Sequence, residues 1–151
     1  MKVLFVYTDI NVRGGALSYQ FGIGMLSAVL KQHGHDTRLH YMFGDLDLEA
    51  LRRTIAEYEP DVVGFSVVYP QWRFVKRVIE ELRPWKAFTI LGGAHATVGP
   101  ECIEQGAGLD AICVGEGEYP LLDLVEALRD GKPTDTIQNL WVRRKDGTIA
   151  R

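Results

Sequence analysis

The residue patterns best suited to chemistry are two glycine-rich turns, Leu91-Gly92-Gly93-Ala94-His95 and Val114-Gly115-Glu116-Gly117-Glu118. Each follows a short apolar run and precedes a stretch that reads as helix. In an open α/β sheet this places both at the carboxyl edge of neighbouring strands, where such sheets bind ligands. Glycine there lets backbone N–H groups come close to a bound molecule, because no Cβ intervenes. Two adjacent glycines exceed what a tight turn needs, so Gly92-Gly93 reads as room for a ligand. His95 is then either a ligand contact or a helix cap. Gly115, Glu116 and Gly117 form a turn leading into an acidic first helical turn, which the helix dipole favours. Its carboxylates would repel a phosphate, so it is no phosphate cradle.

Two more loops fall on the same edge. Asp9-Ile10-Asn11-Val12-Arg13-Gly14-Gly15 reads equally as a grip on a ligand or as a plain crossover, since Asn, Asp and Gly favour turns. In Ser66-Val67-Val68-Tyr69-Pro70-Gln71-Trp72, the serine hydroxyl can meet a ligand or a nearby backbone group. Tyr69 and Gln71 are better placed for contact than Trp72, which belongs to an apolar helical stripe. A lysine-containing phosphate loop, a Gly-x-Gly-x-x-Gly after the first strand, a catalytic triad and metal-binding His/Glu helices are all missing.

The elements that must position these loops alternate strand and helix. Strands are expected over Val3 to Thr8, Asp36 to Tyr41, Asp61 to Val67, Ala87 to Leu91 and Leu109 to Val114. A helix from about Ser18 to His33 carries Gly22, Leu26, Val29 and Leu30 on one face and stops at Gly34. A second follows Asp47 and ends at Pro60, and a third carries Trp72, Val75, Ile79 and Leu82 and closes at Pro84. A short helix begins near Pro100, and a last one runs from Pro120 to Gly131. Such βα units predict an α/β, flavodoxin-like (Rossmann-type) fold: a five-stranded parallel sheet, order 2-1-3-4-5, with helices on both faces. Asn139 to Ala150 alternates polar and apolar residues around Asp146-Gly147, the pattern of a β-hairpin. An isolated hairpin is marginal in water. The expected division is therefore 1–131 as the ligand-binding domain and 132–151 as a linker and hairpin leading to a catalytic domain beyond Arg151.

Composition agrees with one soluble domain. The 151 residues are 46% hydrophobic and 25% charged, with a formal net charge of −3. No basic stripe suits nucleic acid, and no apolar run reaches the length of a membrane span. Met1 to Tyr7 is too short for a signal peptide and lacks its cleavage site. The two cysteines, Cys102 and Cys113, have neither zinc nor redox spacing, which points to a cytoplasmic protein.

Taken in order, these pieces resemble the cobalamin-binding domain that precedes the catalytic barrel in cobalamin-dependent radical S-adenosylmethionine enzymes. The similarity runs through Gly22 to Leu30 with Gly34-His35-Asp36, then Glu59-Pro60-Asp61 to Ser66. It continues through Gly92-Gly93-Ala94-His95-Ala96-Thr97 with Pro100-Glu101, and Asp110 to Glu118. The wider cobalamin-binding family carries Asp-x-His-x-x-Gly, Ser-x-Leu and Gly-Gly after strands one, three and four. This chain has Asp9-x-Asn11-x-x-Gly14, Ser66-x-Val68 and Gly92-Gly93 at those places.

Asparagine replaces the histidine that would be the lower cobalt ligand, and its amide is a poor substitute for a neutral imidazole nitrogen. The resemblance thus implies cobalamin bound base-off, without a protein histidine, its nucleotide tail buried beside the sheet. Gly92-Gly93 would make room for that tail. Gly115 to Glu118 would meet the corrin's amides or the catalytic domain. A [4Fe-4S] cluster and S-adenosylmethionine are expected only in a downstream radical S-adenosylmethionine barrel, because this chain lacks the three-cysteine motif. By itself it should bind cofactor and turn nothing over, while the parent carries out methyl transfer or a radical rearrangement. The alternative is a cofactor-free interaction or substrate-gating domain of the same fold. A phosphoacceptor domain fits worse, with Ser66 and Gly115 where it needs an aspartate and a lysine.

Overall fold

The first strand, β1 (Lys2–Ile10), is mostly apolar and is buried along nearly all its length on both faces, as an inner parallel strand between helices must be. The structure, a computed structural model, describes residues 1–10, 20–84, 86–105 and 108–151. Asn11, Gly14, Gly15 and the expected helix start at Ser18 lie outside the described residues. After α1 (Phe21–Gln32), Gly34 turns the chain at φ +79 into β2 (Asp36–Gly44). The Asp47 carboxylate accepts from the Ala50 N–H at 2.9 Å and caps α2 (Leu48–Tyr58). β3 (Val62–Ser66) leads through a 3-10 turn, Tyr69–Gln71, into α3 (Trp72–Glu81).

β4 (Phe88–Gly92) is followed by two short helices, α4 (Ala94–Val98) and α5 (Cys102–Gln105). The single short helix expected near Pro100 is thus corrected to a pair, with Pro100 in the link between them. β5 (Ala111–Cys113), α6 (Glu118–Asp130), β6 (Leu140–Arg143) and β7 (Ile149–Ala150) complete the order.

The sheet runs β2-β1-β3-β4-β5-β6-β7. Its first five strands are parallel, in the expected order. The hairpin adds two antiparallel strands alongside β5, so a hairpin marginal alone is paired into the sheet. Arg143 anchors it, its Nε donating to the Leu109 carbonyl at 3.1 Å and an Nη to the Ile103 carbonyl. Parallel register lines up Phe5, Gly64, Ile90 and Ala111 across four strands.

Alternation along the strands divides the core between two faces. Val3, Phe5, Val62 and Ile90 pack with Leu30 of α1 and Leu121, Leu124 and Val125 of α6. Leu4, Val6, Val63, Phe65 and Leu91 pack with Leu51, Val75, Ile79 and Ile103 on the other side. Among the described residues, no helix is long and apolar enough to cross a membrane.

Candidate functional site

On the α1/α6 face a half-open cleft of about 170 Å³ opens toward the carboxyl edge of the sheet. Its floor is the register row Phe5, Gly64 and Ile90, and one row nearer the edge come Ser66, Gly92 and Cys113. Leu26 of α1 and Leu121 of α6 form the walls, with Glu116 and Glu118 at the rim. Packing of the protein alone does not require the floor glycines. A Cβ on Gly92 would meet only the Cys113 Cβ, at 3.9 Å, and one on Gly64 would make ordinary contacts with Phe5 at 3.4 Å and Ile90 at 3.8 Å. The space above them is lined mainly by apolar side chains, Phe5, Leu26, Ile90 and Leu121.

Gly93 has a different task. Its φ is +91, and a Cβ there would lie 2.8 Å from the Val67 nitrogen and 2.9 Å from the Val67 oxygen. The exit of β3 and the start of α4 touch backbone to backbone, through Val67 N–H to the Gly92 carbonyl and His95 N–H to the Val67 carbonyl, both at 3.0 Å. One glycine of the pair therefore serves the fold and the other leaves the cleft open.

Ser66 and the turn from Gly115 to Gly117 border the cleft. The Gly115 N–H is held by the Thr97 hydroxyl at 3.0 Å, and that hydroxyl donates to the Gly93 carbonyl at 3.1 Å. Burial, then Glu118 and Glu116, push the Cys113 thiol up to about 11, and burial does the same for Cys102. At neutral pH both thiols are therefore protonated and poor nucleophiles.

Asp9, only 9% exposed, accepts from the Tyr41 hydroxyl at 2.8 Å, beside a Tyr7–Tyr41 ring contact. Burial, and then the Asp9 charge, raise the Tyr7 hydroxyl above its ordinary range. Gln71 is buried, and both ends of its amide engage Ile10, accepting from the N–H and donating to the carbonyl at 3.3 Å each. Val68 and Tyr69 are exposed. His95 sits inside α4, whose amino end is capped by Gly93 without a side-chain bond, so His95 is no cap. Its ring lies 5.0 Å from Trp72 and 5.8 Å from Tyr69, and its Nε2 is buried without a hydrogen-bond partner. Burial lowers its pKa.

All four histidines are described. His33 and His35 follow α1 at the amino edge, His35 being 3.4 Å from the Met1 amino group, and His40 pairs with Thr54 at 2.9 Å. Among the described residues, no three His, Cys, Asp or Glu side chains are grouped to hold a metal. Gly64, Leu26, Leu121 and Thr97 are site residues that the sequence reading did not single out. A glycine interrupting Val62-Val63-Gly64-Phe65 is the signal that marks Gly64, since strand interiors disfavour it unless something approaches closely.

A sheet with a ligand cleft at the carboxyl ends of β3 and β4 is common to several families, and comparison with known proteins decides among them. Residues 7–125 match the model of the B12 binding domain. The chain belongs to the B12-binding domain family. This B12-binding domain is 27% identical over 154 residues to the cytidylyl-2-hydroxyethylphosphonate methyltransferase of Streptomyces wedmorensis, covering 87% of the chain and 29% of that protein. It is 29% identical over 141 residues to the anaerobic magnesium-protoporphyrin IX monomethyl ester cyclase of Rubrivivax gelatinosus, covering 87% and 25%. It thus spans under a third of either curated relative. Its fold matches that of OxsB, a cobalamin-dependent S-adenosylmethionine radical enzyme solved with aqua-cobalamin and S-adenosylmethionine bound, at a TM-score of 0.82 and 19% identity. That likeness covers 97% of this B12-binding domain and 21% of OxsB.

Proposed function

We propose that this domain binds cobalamin base-off, with the nucleotide tail in the cleft between Leu26 and Leu121 and no protein histidine beneath cobalt. The observation that carries the reading is the open floor at Gly64 and Gly92, glycines whose missing side chains the protein itself does not use. Ser66 and the Gly115–Gly117 turn border the mouth, where polar groups of the nucleotide loop would lie. Histidine placement supports the absence of an imidazole ligand. His33 and His35 lie at the far edge, His40 is engaged by Thr54, and the His95 Nε2 is covered. When bound, cobalamin supplies a cobalt centre that can take up and pass on a methyl group. The chain's own part is to hold the tail, seat the corrin on the sheet edge, and leave the lower cobalt face without a strong donor.

In this reading the domain serves a radical S-adenosylmethionine catalytic domain that holds the [4Fe-4S] cluster and S-adenosylmethionine, and the whole enzyme carries out methyl transfer or a radical rearrangement. A methyltransferase and a cyclase both resemble the domain, so the reaction is set outside it.

The test is to mix the 151-residue chain with hydroxocobalamin, gel-filter it, and record the paramagnetic resonance spectrum after reduction to cobalt(II). Co-eluting corrin without nitrogen splitting on the cobalt signal is expected. Nitrogen splitting would overturn the reading, since either the cofactor's own base or a protein imidazole would then lie on cobalt. Absence of corrin would leave the cofactor-free interaction or gating role.

A further inference from the structure

The cleft is graded in polarity along its depth. Its inner row, Phe5, Gly64 and Ile90, and its two walls, Leu26 and Leu121, carry no side chain able to form a hydrogen bond. The backbone of that row is occupied in the parallel ladder, with Phe5 opposite Gly64 and Gly64 opposite Ile90. Polar side chains begin only one row nearer the edge, at Ser66 and Cys113, and the Cys113 thiol already faces the Glu116 carbonyl at 3.6 Å.

A heterocycle reaching the inner row meets carbon on its faces and edges. An exocyclic amine or extra ring nitrogens taken there would lose their water and gain no partner, which weakens binding. Ring methyl groups would gain apolar contact.

We infer that this cleft selects among cobamides by their lower base, accepting dimethylbenzimidazole and discriminating against adenine. The inference rests on cobalamin binding in this cleft. Gly64 and Gly92 set the space, while Leu26, Ile90 and Leu121 set the apolar character. A purely apolar slot discriminates by about tenfold to a hundredfold in affinity against a polar isostere, and that is the ratio expected.

Equilibrium dialysis of the 151-residue chain against cobalamin, adenine-containing pseudocobalamin and tail-less cobinamide, read by corrin absorbance, tests it. Cobalamin should bind most tightly, with both others at least about tenfold weaker. Equal affinity for cobalamin and pseudocobalamin overturns base selection while leaving cobalamin binding intact. Cobinamide binding as tightly as cobalamin also overturns it, because the tail would then contribute nothing. Failure of all three to bind overturns the cofactor reading itself. L121Q, which brings an amide to the wall, should narrow the ratio between cobalamin and pseudocobalamin. G92A, where the added methyl meets nothing closer than 3.9 Å within the protein, should fold normally, weaken cobalamin and spare cobinamide. An unchanged cobalamin affinity in folded G92A counts against the slot.

Discussion

The Thr97 hydroxyl accepts the Gly115 N–H at 3.0 Å and donates to the Gly93 carbonyl at 3.1 Å. One short helix, α4, thereby ties the turn after β4 to the turn after β5, and both turns border the cleft. Thr97→Val keeps the shape and removes both bonds. We expect a loss of about 0.5–1.5 kcal/mol in urea unfolding and weaker cobalamin retention on gel filtration, with Thr97→Ser restoring both. A Val variant indistinguishable from the parent in both measurements would show that the turns hold their positions independently.

The two glycines of Gly92-Gly93 should respond oppositely. Gly93→Ala puts a methyl 2.8 Å from the Val67 nitrogen at a φ of +91, so the backbone must shift. A cost of about 1–3 kcal/mol is expected with or without cofactor, by the magnitude of strain in disfavoured backbone regions. Gly92→Ala adds a methyl to open space and should leave the thermal midpoint of the cofactor-free chain nearly unchanged. Comparable destabilisation by both would remove the distinction between fold glycine and cleft glycine.

Gln71 links the turn after β3 to the end of β1 through two bonds to the Ile10 backbone at 3.3 Å. Gln71→Leu leaves that buried N–H and carbonyl unsatisfied, and about 1–3 kcal/mol of stability should be lost. Amide hydrogen exchange at Ile10 is the direct measurement. Protection that survives the substitution would mean another group satisfies the N–H.

Much of the framework is legible in the sequence because period and punctuation agree. Apolar runs ended by Gly34, Pro60 and Gly131 mark the βα units, and Asp47 announces the helix that it caps. The hairpin around Asp146-Gly147 is equally plain, while its pairing with β5 depends on a sheet edge that local pattern does not reveal. Helix α4 escapes because five residues carry no periodicity and its cap, Gly93, offers no side chain. The cleft is half legible. Glycines at the strand ends stand out, but the burial of Gln71 against Ile10 and the approach of Gly93 to Val67 join elements through space. Those contacts decide which polar groups remain for a ligand.

Asp9 is nearly covered, and the Tyr41 hydroxyl is its described hydrogen-bond donor, at 2.8 Å. Tyr41→Phe should cost about 1–3 kcal/mol, because a buried acceptor loses its donor. Asp9→Asn in the same background separates pairing from packing. If the two substitutions are additive in a double-mutant cycle, the pair is not coupled and the bond contributes no stability.

Burial lowers the pKa of His95, and burial likewise lowers those of His40 and His35. Each folded-state value lies below the ordinary 6.5, so between the two values the unfolded chain binds more protons than the folded one. Stability from these groups is therefore complete above about 6.5 and declines as the pH falls toward the folded-state values. Asp130 does not confuse this window, since its bonds to Arg129 and Lys132 hold its carboxyl near 2. We expect the urea midpoint of the cofactor-free chain to be flat from pH 8 to 7 and to fall below that. His95→Phe keeps the ring packing against Trp72 and removes the buried, unpartnered Nε2, so its decline should be shallower. A midpoint that falls just as steeply in His95→Phe would place the pH response on His35 and His40 instead.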